Sequence, residues 1–316
     1  MAEEVERFAV IVVNYGSHEL LRKNLSASVA GLKLRVVVVD NFSSTLEQKA
    51  VTELATERGW ISVLSADNVG FGAGNRLGID IARREGASTF LLLNPDACLA
   101  PEDLLRLLRR SHANPTELVA PLVVRPDGTS FSELQDLYLA DGRLRASRVR
   151  SAEVIDSEVI QWVSGACIAI SEQLWDEVGG FDDDYFLYWE DVDLSARVWR
   201  SGGKVRVDTT VIAVHDEGAT HGFIRRSRAK SPVYYYYNVR NRLLFAAKHL
   251  DAGSQLRWKK ATPRLALLVL LQGGRRQFLR PDRTVLPALR AIRDGWRGRS
   301  GPYSPRTGGT RRTVPH

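Results

Sequence analysis

Two acidic clusters in this chain sit where carboxylates can do chemistry. One is Glu190-Asp191-Val192-Asp193, which follows the aromatic run Tyr185-Phe186-Leu187-Tyr188-Trp189. At the start of a helix, an acid pair lies at the positive end of the helix dipole, which keeps a carboxylate ionised and able to take a proton. Asp191, with Glu190 beside it, is therefore a candidate general base, and helix capping is the plainer alternative. The other cluster is Asn94-Pro95-Asp96, directly after Phe90-Leu91-Leu92-Leu93. Pro95 ends an apolar strand, so Asp96 stands at its carboxyl end, where open α/β sheets bind metals and nucleotides. The alternative there is an Asp that merely opens a turn. His215 closes another apolar run, Val211 to Val214, and an imidazole at a strand end is a possible metal ligand or a structural residue.

These side chains need a scaffold, and the first hundred residues supply its pattern. Phe8 to Val13, Arg35 to Val39, Ile61 to Leu64 and Phe90 to Leu93 read as strands, with helical stretches between them. Ser17 stands as an N-cap for a segment reaching Gly31, and Ser44-x-x-Glu47 forms a capping box for a helix stopping near Gly59. Alternating strands and helices predict a mostly parallel sheet with right-handed crossovers, which gathers Asn14, Asp40, Asn68 and Asp96 on one edge. Asp40 there can accept bonds from a ribose or base, or cap a helix. Gly70, Gly72 and Gly74, with Asn75, read as a loop that lets backbone approach a flat or anionic ligand, or as a loop that is simply flexible. The spacing differs from the dinucleotide fingerprint.

Further along, Pro101 opens a scaffold helix, and Ser130 to Ser157 has little periodicity and reads as a mobile loop region. Trp162 to Ile170 reads as one strand, Ser171 caps a helix ending at Gly179-Gly180, and a helix runs from Asp191 to Arg200. Within that last helix Asp193 and Arg197 have the spacing of an ion pair.

Composition bounds the class. The chain has 316 residues, 44% hydrophobic and 26% charged, with a net charge of +7. From Ile224 onward there are 22 Lys and Arg against three acids, so an acidic body precedes a basic tail. Such a tail suits anionic lipid headgroups or nucleic acid, or is a solvated extension; the membrane reading is preferred and nucleic acid is not expected. Leu265 to Leu271 is too short to cross a bilayer, which takes about 20 apolar residues. Cys98 and Cys167 lack metal-type spacing, which points to a reducing, cytoplasmic setting.

The stretches Phe8–Leu93, Gly165-Ala166-Cys167, Gly179-Gly180-Phe181-Asp182, Glu190-Asp191-Val192-Asp193-Leu194, Arg197, Gly203 and His215 together resemble inverting family 2 glycosyltransferases of the GT-A fold, and among them rhamnosyltransferase-like members. The resemblance covers about residues 8 to 249. It implies a GT-A catalytic domain over 1–223, with a nucleotide-sugar half (about 1–100) and an acceptor half (about 101–223). A basic helical extension, 224–316, follows, disordered from about 298. It implies a divalent cation, Mn²⁺ or Mg²⁺, on Asp96 and His215, with Asn94 in place of the family's first acid. Donor contacts fall on Asn14, Tyr15, Asp40, Asn68, Gly70, Asn75 and Asn94, and the general base on Asp191. The implied reaction is inverting transfer of a sugar, first L-rhamnose from dTDP-L-rhamnose and otherwise from a UDP-sugar, to a glycan or polyprenyl-diphosphate-linked acceptor. The enzyme would work at the inner face of the cell membrane, with a homodimer possible. The reading from a different class is a non-catalytic, membrane-docking glycan-binding subunit, in which the acid pair is structural.

Overall fold

The computed structural model describes residues 7–216 and 230–303. Strand β1 (Phe8–Asn14) is buried along its whole length, a bent helical segment over 18–28 follows, and then come β2 (Arg35–Asp40), α1 (Thr45–Arg58), β3 (Ile61–Leu64), α2 (Phe71–Arg84) and β4 (Thr89–Leu93). These four strands lie in the order β3-β2-β1-β4 and are all parallel, as the alternation predicts. Next are β5 (Ala97–Leu99), α3 (Pro101–Ala113), β6 (Glu117–Val124), β7 (Ser130–Ser132), β8 (Gln135–Tyr138), β9 (Leu144–Ala146), β10 (Val159–Trp162) and β11 (Cys167–Ser171). The chain continues through α4 (Glu172–Val178), α5 (Glu190–Arg200), β12 (Lys204–His215), α6 (Pro232–His249), α7 (Ala252–Gln272) and α8 (Val285–Trp296). Beyond β4 the sheet continues β11-β6-β12-β5, with β11 antiparallel to β4 and β12 parallel to β6.

Two apolar layers sandwich this sheet. The 18–28 segment, α1 and α3 cover one face through Leu21, Leu25, Val51, Leu54, Leu104 and Leu108. Ile79, Leu174, Trp175, Leu194 and Val198 of α2, α4 and α5 cover the other. Strands buried on both faces explain the continuous apolar runs that made β1, β2 and β4 legible.

Several expectations are corrected. Ser17 caps no helix with its side chain; its hydroxyl and its amide both donate to Asn14 Oδ1, and the segment behind it contains a π-helical turn at Leu21–Leu25. Ser44 does accept from the Glu47 amide at 3.2 Å, but the Glu47 side chain turns away to Asn14 and His18 rather than completing the box. The single strand expected over Trp162–Ile170 is two strands in different sheets. β10 joins a small antiparallel sheet in the order β10-β8-β9, and β11 joins the main one, with the break at Ser164-Gly165. Ser130–Ser157 is therefore no structureless loop. Its centre is the fully buried Asp136, gripped by Arg150 at 2.6 Å, a charge that only a paired partner makes tolerable inside.

The basic segment folds against the body. Trp258 is fully buried, stacks on Phe245 at 5.9 Å and donates its indole N–H to Leu139 O at 2.8 Å. Residues 298–303, expected to begin a disordered tail, are held by Tyr303, which stacks on Tyr236 at 4.1 Å and donates its amide to the Tyr237 hydroxyl at 2.6 Å. The tail beyond them lies outside the described residues.

Candidate active site

The carboxyl ends of β1 and β2 carry a closed polar network. Asn14, fully buried, donates from Nδ2 to Asp40 Oδ2 (2.9 Å) and to Glu47 Oε1 (3.0 Å), and Glu47 in turn holds His18 Nδ1 at 2.7 Å. Asp40 is fully buried as well; burial pushes its carboxyl above the usual range, opposed by the Asn14 bond. Asn14 and Asp40 thus lie buried at the ends of their strands, while the neighbouring Tyr15 is 49% exposed. The sequence reading missed Glu47 and His18 as members of this network and also missed Asn41. Asn41 is buried and donates to Asn68 Oδ1 and Gly70 O, both at 3.0 Å. Its Oδ1 receives the Val69 amide.

The glycine run is largely helix rather than loop, because α2 begins at Phe71. Gly70 has φ +91°, and a Cβ there would lie 2.5 Å from Phe186 O. A Cβ on Gly74 would strike Val13, so these glycines permit close approach to neighbouring protein. Asn75 is buried and bonds back to Phe71 O.

At the end of β4, Asp96 and His215 converge. β12 pairs antiparallel with β5, placing His215 opposite Ala97, and the Asp216 amide donates to Asp96 O at 3.0 Å. His215 Nε2 lies 3.0 Å from Asp96 Oδ1, both side chains nearly buried, and among the described residues neither ring nitrogen makes a hydrogen bond. A buried Nδ1 with no partner among the described residues is uncommon for an imidazole. A carboxylate oxygen and an imidazole nitrogen side by side form a donor set that fits a divalent cation such as Mn²⁺ or Mg²⁺. No group of three or more His, Cys, Asp or Glu side chains able to hold a metal occurs among the described residues.

Asp191 is reached through the turn that splits the two sheets. Asn94 N donates to Ala166 O at 2.9 Å, and Gly165 N donates to Asp191 Oδ2 at 2.9 Å, so residues 165–166 stitch the acidic turn to the acid pair. Burial pushes the Asp191 carboxyl above its ordinary value, while the Gly165 and Val192 amides pull against that. The helix-end donors oppose the shift without cancelling it, and the resulting carboxylate is a better proton acceptor than a solvated one. Glu190 is buried with Oε2 unpartnered; burial and the neighbouring Asp191 charge push it well up.

Asp193 does something else. It is 1% exposed and receives Arg197 Nε at 2.8 Å, as its spacing predicts, and His249 Nε2 of α6 at 2.5 Å. Desolvation would raise its carboxyl, but the His249 bond and the Arg197 charge outweigh that and hold it below the usual range. The aromatic run ahead of the helix is bent hard, with Phe186, Tyr188 and Trp189 all at positive φ. Such residues cost about 1–3 kcal/mol each and persist only where their surroundings fix them.

The profile of Glycosyl transferase family 2 matches residues 9–159. Over that stretch the chain is similar to the family. It is 26% identical over 311 residues to a low-salt glycan biosynthesis hexosyltransferase of Haloferax volcanii, covering 94% of this chain and 93% of that one. Against an Escherichia coli rhamnosyltransferase it is 22% identical, covering 65% of this chain and 82% of the other. It is 29% identical to an N-acetylglucosaminyl-diphospho-decaprenol L-rhamnosyltransferase of Mycobacterium tuberculosis, over 35% of this chain and 41% of that one. Among solved structures, a Pyrobaculum calidifontis mannosyltransferase in complex with GDP-Man and Mn²⁺ superposes with a TM-score of 0.53 at 16% identity, covering 92% of this chain and 86% of that one. The fold is therefore GT-A. Among the described residues no helix is long and apolar enough to cross a membrane.

Proposed function

We propose that the chain is a glycosyltransferase that inverts the sugar it moves, by single displacement at the anomeric carbon of a nucleotide-diphosphate donor. The observation that carries this reading is the 165–166 turn, which bonds the Asp96 turn on one side and Asp191 on the other. Asp191 takes the proton of the acceptor hydroxyl, and the donor's diphosphate leaves on the opposite face, beside Asp96 and His215. Asn94, whose Oδ1 makes no hydrogen bond among the described residues, faces the same turn and completes the donor side with Tyr15, Asn68 and Gly70. A divalent cation, Mn²⁺ or Mg²⁺, held by Asp96 and His215 would neutralise charge on the departing diphosphate. The rhamnosyltransferase relatives favour dTDP-L-rhamnose as donor, with UDP-sugars next, and the decaprenol-linked name of one of them favours a polyprenyl-diphosphate-linked acceptor. Release of nucleoside diphosphate from dTDP-L-rhamnose, with and without a polyprenyl-diphosphate glycan, tests the whole reading. Turnover of neither dTDP- nor UDP-sugars under any acceptor condition would overturn it.

Exhaustive chelation is expected to lower turnover at least tenfold and to weaken donor binding by calorimetry, both restored by Mn²⁺. With Asp96 and His215 holding it, the ion would also rest on the donor's phosphates, so its effect would depend on donor concentration. Undiminished turnover after chelation rules out the metal assignment.

The acceptor reading calls for a membrane face, and α7 and its neighbours offer one. Leu267, Leu268 and Leu271 are 49%, 45% and 43% exposed, Leu279 is 83% exposed, and Arg264, Arg275 and Arg276 are exposed beside them. Leu265, Ala266 and Leu270 point inward instead, so only half of the apolar run is available. Cations flanking an exposed apolar strip suit an anionic bilayer at the inner face of the cell membrane, each worth about 1 kcal/mol near the surface. Changing Arg275 and Arg276 together to Ala is expected to weaken binding to anionic vesicles about 10- to 30-fold and to leave donor binding unchanged. Equal binding of the wild type to neutral and anionic vesicles would count against the surface.

A further inference from the structure

The bent loop ahead of the acid pair is held from a distant part of the chain. Phe186, at φ 63° and ψ −53°, is the centre of a three-residue turn closed by the Leu187 amide donating to Tyr185 O at 2.8 Å. Trp189, at φ 74°, is the residue on which α5 starts, and its carbonyl receives the Asp193 amide at 2.9 Å. The loop's carbonyls point at one side chain. Asn241 of α6, fully buried, directs Nδ2 at Tyr185 O (3.0 Å), Leu187 O (2.9 Å) and Tyr188 O (2.6 Å). All three neighbours are acceptors, so the amide orientation is forced: the NH₂ group must face them, and its two protons are shared among three carbonyls. The Asn241 Oδ1 has no partner among the described residues. On the loop's other side, Phe186 O receives the Phe71 amide at 2.8 Å, and a Cβ on Gly70 would strike that same oxygen. The loop therefore touches the donor side at Gly70–Phe71, ends two residues before Asp191, and is fixed in the middle by Asn241.

We infer that Asn241 is a positioning residue for the transfer step: its amide fixes the 185–189 loop, and through it the placement of Asp191 relative to the donor-side Gly70–Phe71 junction. Elsewhere on α6 the run meets rings, Tyr237 on Phe186, Tyr234 on Tyr188 and Phe245 on Trp189, which pack the loop rather than fix its carbonyls. Arg240 reaches only Tyr185 O within the run, at 3.0 Å, and spends its other bonds on Arg299 O and Gly301 O. Lys248 ties α6 to the same region through Asp182 and Asp184, both at 2.7 Å, but touches none of the residues at positive φ. Holding a base within reach of its proton is worth a large rate factor, and a displacement of about 1 Å costs about 10²-fold. Donor affinity has a separate origin, in the Asn14, Asn41 and Asn68 network, and so is not expected to follow.

This inference rests on the reading of Asp191 as base, and the test separates the two. The full chain is assayed as nucleoside diphosphate released from whichever of dTDP-L-rhamnose, UDP-glucose and GDP-mannose the wild type turns over fastest. Four variants are compared: Asn241→Ala, Asn241→Ser, Lys248→Ala and Asp191→Asn. Asn241→Ala is expected to lose about 10- to 100-fold in kcat with donor KM and calorimetric Kd within about threefold. Asn241→Ser, which keeps one short donor, falls between it and the wild type. Lys248→Ala lowers Tm with kcat unchanged. A folded Asn241→Ala or Asn241→Ser with kcat within twofold of the wild type overturns the inference. So does a Lys248→Ala that loses kcat in proportion to its Tm as Asn241→Ala does, because that marks the role as stability alone. If Asn241→Ala does not fold, the Asn241→Ser arm decides. Undiminished turnover by Asp191→Asn removes the base reading itself, whatever Asn241 does.

Discussion

Asp191→Asn is expected to lower transfer by about 10²- to 10⁴-fold while the donor still binds, since general-base catalysis contributes about that much and the amide keeps the shape of the carboxylate. Asn can still accept the Gly165 amide through its oxygen, so the turn joining the two halves of the site survives the change. The pH profile adds a second readout. A base must be deprotonated to act, and burial pushes the Asp191 carboxyl upward. The rate in the wild type should therefore rise with pH through an acid limb lying above the ordinary aspartate value of about 3.9, and residual activity in Asp191→Asn should lack that limb. An unchanged limb in the variant would move the base to Glu190, whose carboxyl is pushed up further still.

Asp193→Asn should behave oppositely, with stability lost and chemistry retained in whatever protein remains folded. The change leaves Arg197 and His249 facing a neutral amide in a nearly dry site, and breaking a buried pair costs about 3–5 kcal/mol. At about 2–4 °C per kcal/mol, Tm should fall by roughly 6–20 °C. The sign of the pH dependence follows from the depressed carboxyl. A group whose folded pKa lies below its unfolded one stabilises fully above the unfolded value, and that stabilisation disappears as pH falls through the folded value. The gap between wild type and Asp193→Asn should hold at neutral pH and shrink below about pH 4. A gap that widens in acid would contradict the assignment, and an inactive but stable Asp193→Asn would exchange the roles of the two acids.

What could be seen in advance followed the range of the interactions. Strands β1, β2 and β4 were legible because each is a local run of doubly buried apolar residues between turn residues, and the Asp193–Arg197 pair because four residues on a helix fix it. The third member of that cluster, His249, was not, since 56 residues separate it from Asp193 and no periodicity connects them. Gly70 and Gly74 were only half legible for the same reason: a glycine announces close approach but not to what, and for Gly70 the protein contact, Phe186 O, lies far along the chain. The Gly165 turn was hidden inside a run of small and apolar residues that reads as one strand, although it carries the amide that meets Asp191. Glu47 was noticed for the wrong partner, because a capping box and a long-range carboxylate share one local spelling.

The grip of α6 on the loop before α5 also bears on the order in which the protein is made. Both ends of the donor-side sheet edge, Asn14 to Asp96, leave the ribosome early, and Asp191 emerges with the middle of the chain. Asn241 and His249 come later, and at about 5–20 residues per second the interval between Asp191 and His249 is roughly 3–12 s. During that interval a nascent chain holds its parallel strands and its acid pair without the contacts from α6. On the proposed roles of Asp191 and Asn241, full catalytic competence is acquired only once α6 has been made.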